Sequence, residues 1–363
     1  MPEGLSEAAS LKMGMIRELS HAARDWLRKV RKAARELFMI DRAIAAVIRL
    51  PVVISLGAVR HAPHGRRTKI LREAIRSISR PAPAGSAEVC EINSLAHFNA
   101  GYARLASILG HAGGDSSPRE LEFLNSIAKR RTSYPGNIGP SDYFFLTAFV
   151  SILAPQRVIE IGTLTGFSAA IIAAALARRH GSDGASWVDT IDINVECAID
   201  RTRPSGFEIP EGFPELVPLI RLHVPRNATF ASQIAKRDEL QVIFIDADHR
   251  HPMPLLDLLR VAPWVRSGGW ILLHDIQWGT MGRRAAEGGQ TPHWRASYGA
   301  EWLFDHWPFR KISGGNIGAV QLPREKNALI PFALRMMSIE FETAEKYAHT
   351  MRHALYESLG ALC

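Results

Sequence analysis

The sequence predicts an α/β fold with a doubly wound, mostly parallel sheet, closed by a C-terminal antiparallel hairpin and preceded by a basic helical extension. Three observations lead to this prediction. From about residue 140, short apolar runs alternate with helical segments, which is typical of a parallel sheet. A loop with two glycines joins the first run directly to a helix. Near the end of the chain, two apolar runs flank Gly314-Gly-Asn316, which indicates a hairpin.

The strands and helices are predicted from the length and character of each run. Val158-Ile-Glu-Ile161 has the length of a buried strand, and the alanine-rich segment after it is helical until Gly181, a residue suited to follow a helix. Gly268-Gly269 predicts a turn that introduces the fifth strand. The predicted strands are 158–161, 187–193, 219–224, 242–245 and 270–273, the hairpin strands are 309–313 and 317–322, and the helices are 169–179, 228–236 and 253–265.

Composition divides the chain into four segments. Residues 1–85 are predicted to form a basic, mainly helical N-terminal extension, and 86–136 a helical and linker region. The α/β domain is expected over 137–325 and a helical tail over 326–363. The tail is amphipathic, so its apolar side chains are expected to dock on the sheet or on a partner subunit, which makes a homodimer one expectation. These side chains are Phe332, Met336, Ile339 and Phe341.

The positive charge of the chain belongs to its N-terminal extension. The net charge is +8, and the first 80 residues hold 17 Lys and Arg against 7 Asp and Glu. The remainder of the chain is therefore slightly acidic, and no nucleic-acid partner is required. Peripheral membrane contact through the basic arm stays open, with a solvated helix face as the alternative. The apolar stretch 38–59 contains charged residues and Pro51, so it is not predicted to span a membrane.

The cysteines indicate a reducing compartment. Cys90, Cys197 and Cys363 are odd in number and widely spaced, which fits neither a disulfide framework nor a zinc site. With 47% hydrophobic and 22% charged residues, the composition is that of a globular protein with a sizeable core. We therefore expect a cytoplasmic protein.

The loop between the first strand and its helix is the first candidate binding element. It reads Glu160-Ile-Gly-Thr-Leu-Thr-Gly-Phe-Ser168, and its tight turn needs Gly162 and Gly166 because side chains there would block close approach of a ligand. The helix N-terminus beyond it suits a carboxylate. Glu160 is expected to point toward a ligand ammonium group, and Thr163 and Ser168 are assigned to the same cofactor-binding loop.

Two polar residues at later strand ends extend this site. Asp192 ends the second strand, where a carboxylate can accept hydrogen bonds from a ribose diol. Asn227 follows the third strand and is placed to bind an adenine edge, although asparagine is also a common turn residue.

The loop sequence resembles the first motif of the class I methyltransferases, in particular the cation-dependent O-methyltransferases related to catechol and caffeoyl-CoA O-methyltransferase. The later strings Phe244-Ile-Asp-Ala-Asp-His249 and Leu272-Leu-His-Asp-Ile276 resemble the related bacterial small-molecule methyltransferases. The similarity covers about 137–322. It implies a Rossmann-like fold in which the antiparallel hairpin replaces the parallel strands of ordinary dinucleotide-binding folds, and it implies S-adenosyl-L-methionine as cofactor.

Carboxylates at the ends of strands four and five are the candidates for the chemistry. Asp246, Asp248 and Asp275 should converge at the ligand crevice, where they would repel one another unless a cation compensates them. The resemblance implies that Asp246 and Asp275 hold a divalent cation such as magnesium, with Asp246 also at the cofactor, and that Asp248 meets the methionine ammonium group. It places His249 where the catechol enzyme carries its catalytic lysine, so His249 is the candidate general base.

One departure from the family pattern bears on the metal. Ile276 stands where the family has an asparagine ligand, and isoleucine cannot ligate. Either His274, His251 or Gln277 completes the ligand shell, or no metal binds and the acids and histidines act alone. His274 is a candidate catalytic residue, with a buried structural role as the alternative.

The predicted function is an S-adenosylmethionine-dependent methyltransferase that O-methylates a small-molecule acceptor. The acceptor pocket is expected from 134–143, 195–216 and 278–294, and Trp278, Trp294 and Trp302 are candidates to line it. Two alternatives stay open: a nucleotide-dependent oxidoreductase of Rossmann type, and a non-catalytic adaptor with a methyltransferase fold.

Overall fold

In a computed structural model of the protein, the structure describes the chain from residue 85 onward except for five short gaps. The described ranges are 85–111, 116–129, 134–181, 187–289, 297–342 and 344–362. The predicted basic extension 1–85 therefore lies outside the described residues except for its last residue, and Trp294 also lies outside them. The described residues belong to one compact unit.

The strands of the described residues form an eight-stranded sheet and a separate two-stranded pair. In chain order they are β1 (Ala87–Val89), β2 (Arg157–Ile161), β3 (Trp187–Ile191), β4 (Glu196–Cys197), β5 (Asp200–Pro204), β6 (Ile220–His223), β7 (Leu240–Ile245), β8 (Val265–His274), β9 (Lys311–Ser313) and β10 (Ile317–Gln321). The large sheet has the order β1-β9-β10-β8-β7-β2-β3-β6, and β4 pairs with β5.

Helices cover both faces of the large sheet. They are α1 (Phe98–Leu109), α2 (Pro118–Ala128), α3 (Pro140–Leu153), α4 (Phe167–His180), α5 (Glu208–Gly212), α6 (Ala231–Ile234), α7 (Met253–Val261), α8 (Trp278–Glu287), α9 (Gly299–Asp305), α10 (Leu329–Met336) and α11 (Glu345–Ala361). Short 3₁₀ turns lie at Leu95–His97, Pro214–Leu219, Ala228–Phe230 and Lys326–Ala328.

The sheet confirms the predicted fold class. From β2 the chain moves outward through β3 to β6, then returns to place β7 and β8 on the other side of β2, and all these neighbours are parallel. β10 lies between β8 and β9 and is antiparallel to both. The order reverses at β2, and the crevice at the carboxyl ends of the strands beside such a reversal is where doubly wound sheets bind ligands.

Several elements differ from their predictions. The fifth strand does not follow a Gly-Gly turn: β8 runs through both glycines with a shift in register, because Gly268 adopts a φ of +74° that kinks the strand without ending it. The helix predicted at 253–265 ends at Val261, two residues before Pro263, which has no N–H to continue it. The helix predicted at 228–236 is a 3₁₀ turn followed by the single-turn α6. The edge strand β1 and the β4–β5 pair were not predicted.

The core lies in two layers, one on each face of the sheet. Helices α1 to α4 contribute to the layer that contains Phe98, Leu124 and Phe145. Helices α7, α9, α10 and α11 contribute to the other layer, in which Phe332 and Met336 of the tail are buried and Ile339 and Phe341 are partly buried. These tail side chains thus pack on the chain's own core. Among the described residues, no helix is both long enough and apolar enough to cross a membrane.

Candidate active site

The glycine loop, residues 162–166 between β2 and α4, is shaped by its protein neighbours. Gly162 has a φ of +99°, and a Cβ atom there would lie 1.9 Å from the carbonyl oxygen of Asp246. Gly166 has a φ of +90°, and its Cβ atom would lie 2.6 Å from the Ile209 side chain. Both positions require glycine, as the sequence indicated. The atoms that leave no room for a side chain belong to the protein itself, however, and not to a ligand.

Glu160 is buried beneath the glycine loop. Its Oε1 accepts a hydrogen bond from Ser168 Oγ (2.5 Å) and its Oε2 accepts one from Thr190 Oγ1 (2.5 Å). The Thr163 and Thr190 hydroxyl oxygens are 2.6 Å apart. Burial raises the pKa of Glu160 from 4.5 to about 8, although both hydroxyl donors oppose the shift. Thr163 and Ser168 line the cavity described below, whereas Glu160 supports the loop from below and does not face that cavity.

Asp192 fastens the end of β3 to the glycine loop. Its Oδ2 accepts hydrogen bonds from the backbone N–H groups of Thr163 (3.0 Å) and Leu164 (3.1 Å). Its Oδ1 accepts bonds from the N–H (2.8 Å) and side-chain amide (3.2 Å) of Asn194. A carboxylate has about four acceptor positions, so all are taken. A ribose diol at Asp192 must therefore replace the exposed Asn194 contacts.

Asn227 has the turn role that its residue type allowed. Its side-chain oxygen accepts hydrogen bonds from the Thr229 N–H (2.9 Å) and hydroxyl (2.6 Å), which caps the 3₁₀ turn after β6. Asn227 nevertheless lines the cavity described next.

A cavity of about 420 Å³ follows the carboxyl ends of the parallel strands. Its size falls in the range of small-molecule sites. Each of the three segments predicted to form an acceptor pocket contributes to its wall, through 136–138, 198–199 and Trp278. The predicted site residues in its lining are Gly162, Thr163, Ser168, Asp192, Asn227, Asp246, Asp248, His249, His274 and Asp275.

Four of these residues form one group at the ends of β7 and β8, here called the acid–imidazole cluster: Asp246, His249, His274 and Asp275. His249 Nε2 lies 3.1 Å from Asp275 Oδ2 and 3.7 Å from Asp246 Oδ1. His274 Nδ1 lies 3.1 Å from Asp246 Oδ1 and 3.5 Å from Asp275 Oδ1. The carboxylates and imidazoles therefore alternate, which lets the histidines compensate the negative charge.

Charge coupling within the cluster shifts its pKa values. Burial lowers the pKa of His274, but the charges of Asp246 and Asp275 and the contact with Asp142 raise it well above the usual value. Burial raises the pKa of Asp246, but the imidazoles of His274 and His249 outweigh burial and hold that pKa below its usual value. We conclude that the cluster favours a protonated His274 beside an ionised Asp246.

Two residues that support the cluster were missed by sequence reasoning. Asp142 of α3 places Oδ2 3.3 Å from His274 Nε2, and Asn316 of the hairpin turn donates from Nδ2 to Asp275 Oδ1 (2.6 Å). Asp275 has a φ of +59°, and the backbone N–H of Ile276 bonds to the Asn316 carbonyl (3.1 Å), which fixes this turn. Asp142 occupies a capping-box position and Asn316 a turn position. The sequence around each residue therefore predicted a local role in a helix start or a turn, and it did not indicate a place in the active site.

A family comparison identifies the central part of the chain. Residues 159–276 match the family model described as a methyltransferase domain. Over this segment the chain is similar to the methyltransferase-domain family. The resemblance of the glycine loop to the class I methyltransferases is thereby confirmed over the matched residues. No curated protein sequence matches the chain.

Solved structures of methyltransferases are similar to the chain. The O-methyltransferase from Bacillus cereus in complex with SAH is 18% identical, with a TM-score of 0.38, over 63% of this chain and 100% of that one. The O-methyltransferase TomG from Streptomyces achromogenes, in complex with SAM, is 16% identical, with a TM-score of 0.34, over 59% and 85%. A putative caffeoyl-CoA O-methyltransferase from Staphylococcus aureus is 13% identical, with a TM-score of 0.36, over 60% and 95%.

Within the matched segment, Asp248 and His251 lie outside the cluster. Asp248 is paired with Arg250, whose Nε lies 2.9 Å from Oδ1; this pairing outweighs burial and lowers the pKa of Asp248. The buried ring of His251 bonds through Nε2 to the Met336 carbonyl (3.0 Å). Ile276 is buried in the core. The suggestion that His251 completes a metal shell is therefore wrong, because its ring is committed to the tail.

Three side chains of the cluster could hold a divalent cation. Asp246, His249 and Asp275 each offer one ligand atom, and these atoms lie within 4.8 Å of one another. Two carboxylate oxygens and an imidazole nitrogen are a donor set that fits such an ion. His274 and Asn316 compete with a cation, because they already bond to the same carboxylates.

The aromatic candidates separate into two groups. The Trp278 ring packs against the His249 ring, with centroids 4.7 Å apart, and it lines the cavity. Trp302 stacks on Tyr298 and contacts the His251 ring, so it belongs to the packing beneath α9 rather than to the cavity wall.

Proposed function

We propose that the protein transfers the methyl group of S-adenosylmethionine to a hydroxyl oxygen of a small molecule, and that His249 accepts the proton of that hydroxyl. The observation that carries the proposal is the position of His249. Its ring lines the cavity formed by the glycine loop, and its Nε2 lies 3.1 Å from Asp275. A base oriented by a carboxylate is therefore exposed to whatever fills the cavity.

The contact with Asp275 selects the nitrogen that acts as the base. His249 Nε2 lies 3.1 Å from Asp275 Oδ2, so the nearby carboxylate favours the proton on Nε2 and leaves Nδ1 as the accepting nitrogen. Trp278 packs on the ring and limits its rotation. Asp275 and Trp278 thus orient the His249 ring beside the cavity, with Nδ1 as the proposed acceptor of the hydroxyl proton.

The remaining cavity residues have binding roles. The glycine loop and the end of β3 supply the wall for the cofactor, and Asp192 can reach a ribose once Asn194 yields. When bound, S-adenosylmethionine supplies a methyl group made electrophilic by the positive sulfur. The acceptor oxygen gains the carbon, the sulfur keeps the electron pair of the broken bond, and the hydroxyl proton moves to His249.

A metal-assisted version of this function rests on the donor set of Asp246, His249 and Asp275. A divalent cation held there would lower the pKa of a coordinated acceptor hydroxyl and so replace the base. The two versions differ in one measurable property. Turnover of the metal-assisted version stops in a chelator, whereas turnover by His249 alone continues.

Methyl transfer and cofactor binding test the proposal separately. We would titrate the protein with S-adenosylhomocysteine by calorimetry and assay release of that product with a panel of phenols and catechols, with EDTA or with magnesium. His249→Asn should retain S-adenosylhomocysteine binding and lose about 10²- to 10⁴-fold in kcat. The matched control is His306→Asn, since His306 is exposed and, within the part of the chain that the structure describes, its ring bonds to the Trp302 carbonyl. Wild-type turnover in His249→Asn would refute the base assignment.

The alternatives predict other binding results. An oxidoreductase would bind NADH and not S-adenosylhomocysteine, and a non-catalytic adaptor would bind neither. The proposal also includes a cytoplasmic location, which cell fractionation tests, and a homodimer, which sedimentation tests. It further includes peripheral membrane contact by the basic extension, which vesicle binding tests.

A further inference from the structure

We propose that Asp257 recognises the amino edge of the cofactor's adenine, in a branch of the cavity between α7 and the turn after β6. This inference rests on the proposed function, because it assigns one end of the S-adenosylmethionine site. It concerns a residue that the motifs of the sequence did not single out.

The branch is defined by elements from two sides. Asp257 and Arg260, on successive turns of α7, line the cavity, as do Asn227 and Ala228 after β6. Helix α7 packs against the 3₁₀ turn Ala228–Phe230. The acid–imidazole cluster lies at the ends of β7 and β8, whereas this branch adjoins the end of β6, on the far side of Asp192 in the sheet. A nucleoside with its ribose near Asp192 and its sulfur toward the cluster therefore places its base here.

Asp257 is a buried carboxyl group whose pairing within the protein is weak. The residue is 5% exposed. Among the described residues, the charged group within ion-pair distance of Asp257 is Arg260, whose Nη1 lies 3.6 Å from Oδ1, longer than a well-formed hydrogen bond. No other described residue donates to either carboxylate oxygen. Buried polar groups are costly unless bonded, so a carboxyl group that lines a cavity in this state indicates a ligand donor.

The surrounding side chains suit a flat base with a polar edge. Ile193, Ala228 and Met253 give the cavity apolar walls around this branch, which suit the faces of an aromatic ring. Burial raises the pKa of Asp257 to about 6, with the charge of Asp248 adding to the shift and Arg260 opposing it. The ionised carboxylate accepts from an exocyclic amino group, and the protonated form also donates to the adjacent ring nitrogen.

The test compares two ligands that differ only in the amino group. Calorimetry would measure the affinities of S-adenosylhomocysteine and of its purine analogue, in which hydrogen replaces the amino group, for the full chain. Wild-type protein should prefer S-adenosylhomocysteine about tenfold, which corresponds to about 1.4 kcal/mol. Asp257→Leu should bind both ligands with equal affinity. Asp257→Asn, whose amide oxygen still accepts from the amino group, should keep the preference.

The outcomes separate this inference from the proposed function. If wild-type protein binds neither ligand, the proposed function fails. If it binds both equally, or if Asp257→Leu keeps the tenfold preference, the adenine assignment is overturned while the proposed function stands. A change confined to the acceptor KM in Asp257→Leu would place the acceptor in this branch and also overturn the assignment. Should Asp257→Leu not fold, Asp257→Ala takes its place, and a tenfold preference kept in Asp257→Ala would likewise overturn the assignment.

Discussion

Replacing Gly162 by alanine should damage the site more severely than its small size suggests. The new Cβ atom would lie 1.9 Å from the Asp246 carbonyl oxygen, whereas real Cβ contacts essentially never fall below 3.0 Å. The β7 end must therefore move by more than 1 Å. The φ of +99° costs an alanine about 1–2 kcal/mol, and the backbone displacement brings the total to about 3–5 kcal/mol. Because Asp246 moves, its 3.1 Å contact with His274 is broken as well.

Gly110→Ala is the matched control for this prediction. Gly110 also has a positive φ, of +78°, but no atom lies within 4 Å of its ideal Cβ position. Gly110→Ala should therefore lose only the part of the unfolding free energy that comes from the strained backbone conformation, about 1–2 kcal/mol. Urea unfolding measures both free energies, and calorimetry measures S-adenosylhomocysteine binding, which only Gly162→Ala should weaken. Equal losses of stability in the two variants would refute the steric argument.

Three further predictions concern buried polar groups. A folded-state pKa of about 8 for Glu160, against 4.5 unfolded, means that its contribution to stability is complete below pH 4.5 and lost as the pH rises to about 8, by up to about 5 kcal/mol. Glu160→Gln should remove that slope in urea titrations, and an unchanged slope would contradict the assignment. Asp142→Asn should lower the pKa of His274, which NMR titration measures. An unaltered pKa would show that Asp142 does not contribute to the raised pKa of His274. Asn316→Ala should release the Asp275 turn and reduce kcat at least tenfold, with S-adenosylhomocysteine affinity nearly unchanged; the reverse pattern would place Asn316 at the cofactor.

The sequence determined the features that depend on local order along the chain. Alternating strands and helices, two glycines after a buried strand, and a Gly-Gly-Asn turn between apolar runs are local patterns, and the sheet follows from them. The carboxyl ends of parallel strands meet at one edge, so Asp246, Asp248 and Asp275 were expected to converge there. Asp246 and Asp275 do so at His274, whereas Asp248 pairs with Arg250. Irregularities within a strand could not be predicted from such local patterns. Gly268 and Gly269 form a kink rather than a turn because β8 is paired with β7 on one side and with β10 on the other.

Only the tertiary structure decided what each polar side chain contacts. Asp142 lies 132 residues from His274 in sequence, and Asn316 lies 41 residues from Asp275, so no local pattern links either pair. The Glu160 side chain lies beneath its own loop because it accepts hydrogen bonds there from the hydroxyl groups of Ser168 and Thr190. In the sequence Asp257 looks like an ordinary helix residue. In the fold, α7 packs against the turn after β6 and Asp257 lines the cavity. Hydrogen bonds and burial depend on distances across the fold, and those are set by packing rather than by neighbours in the chain.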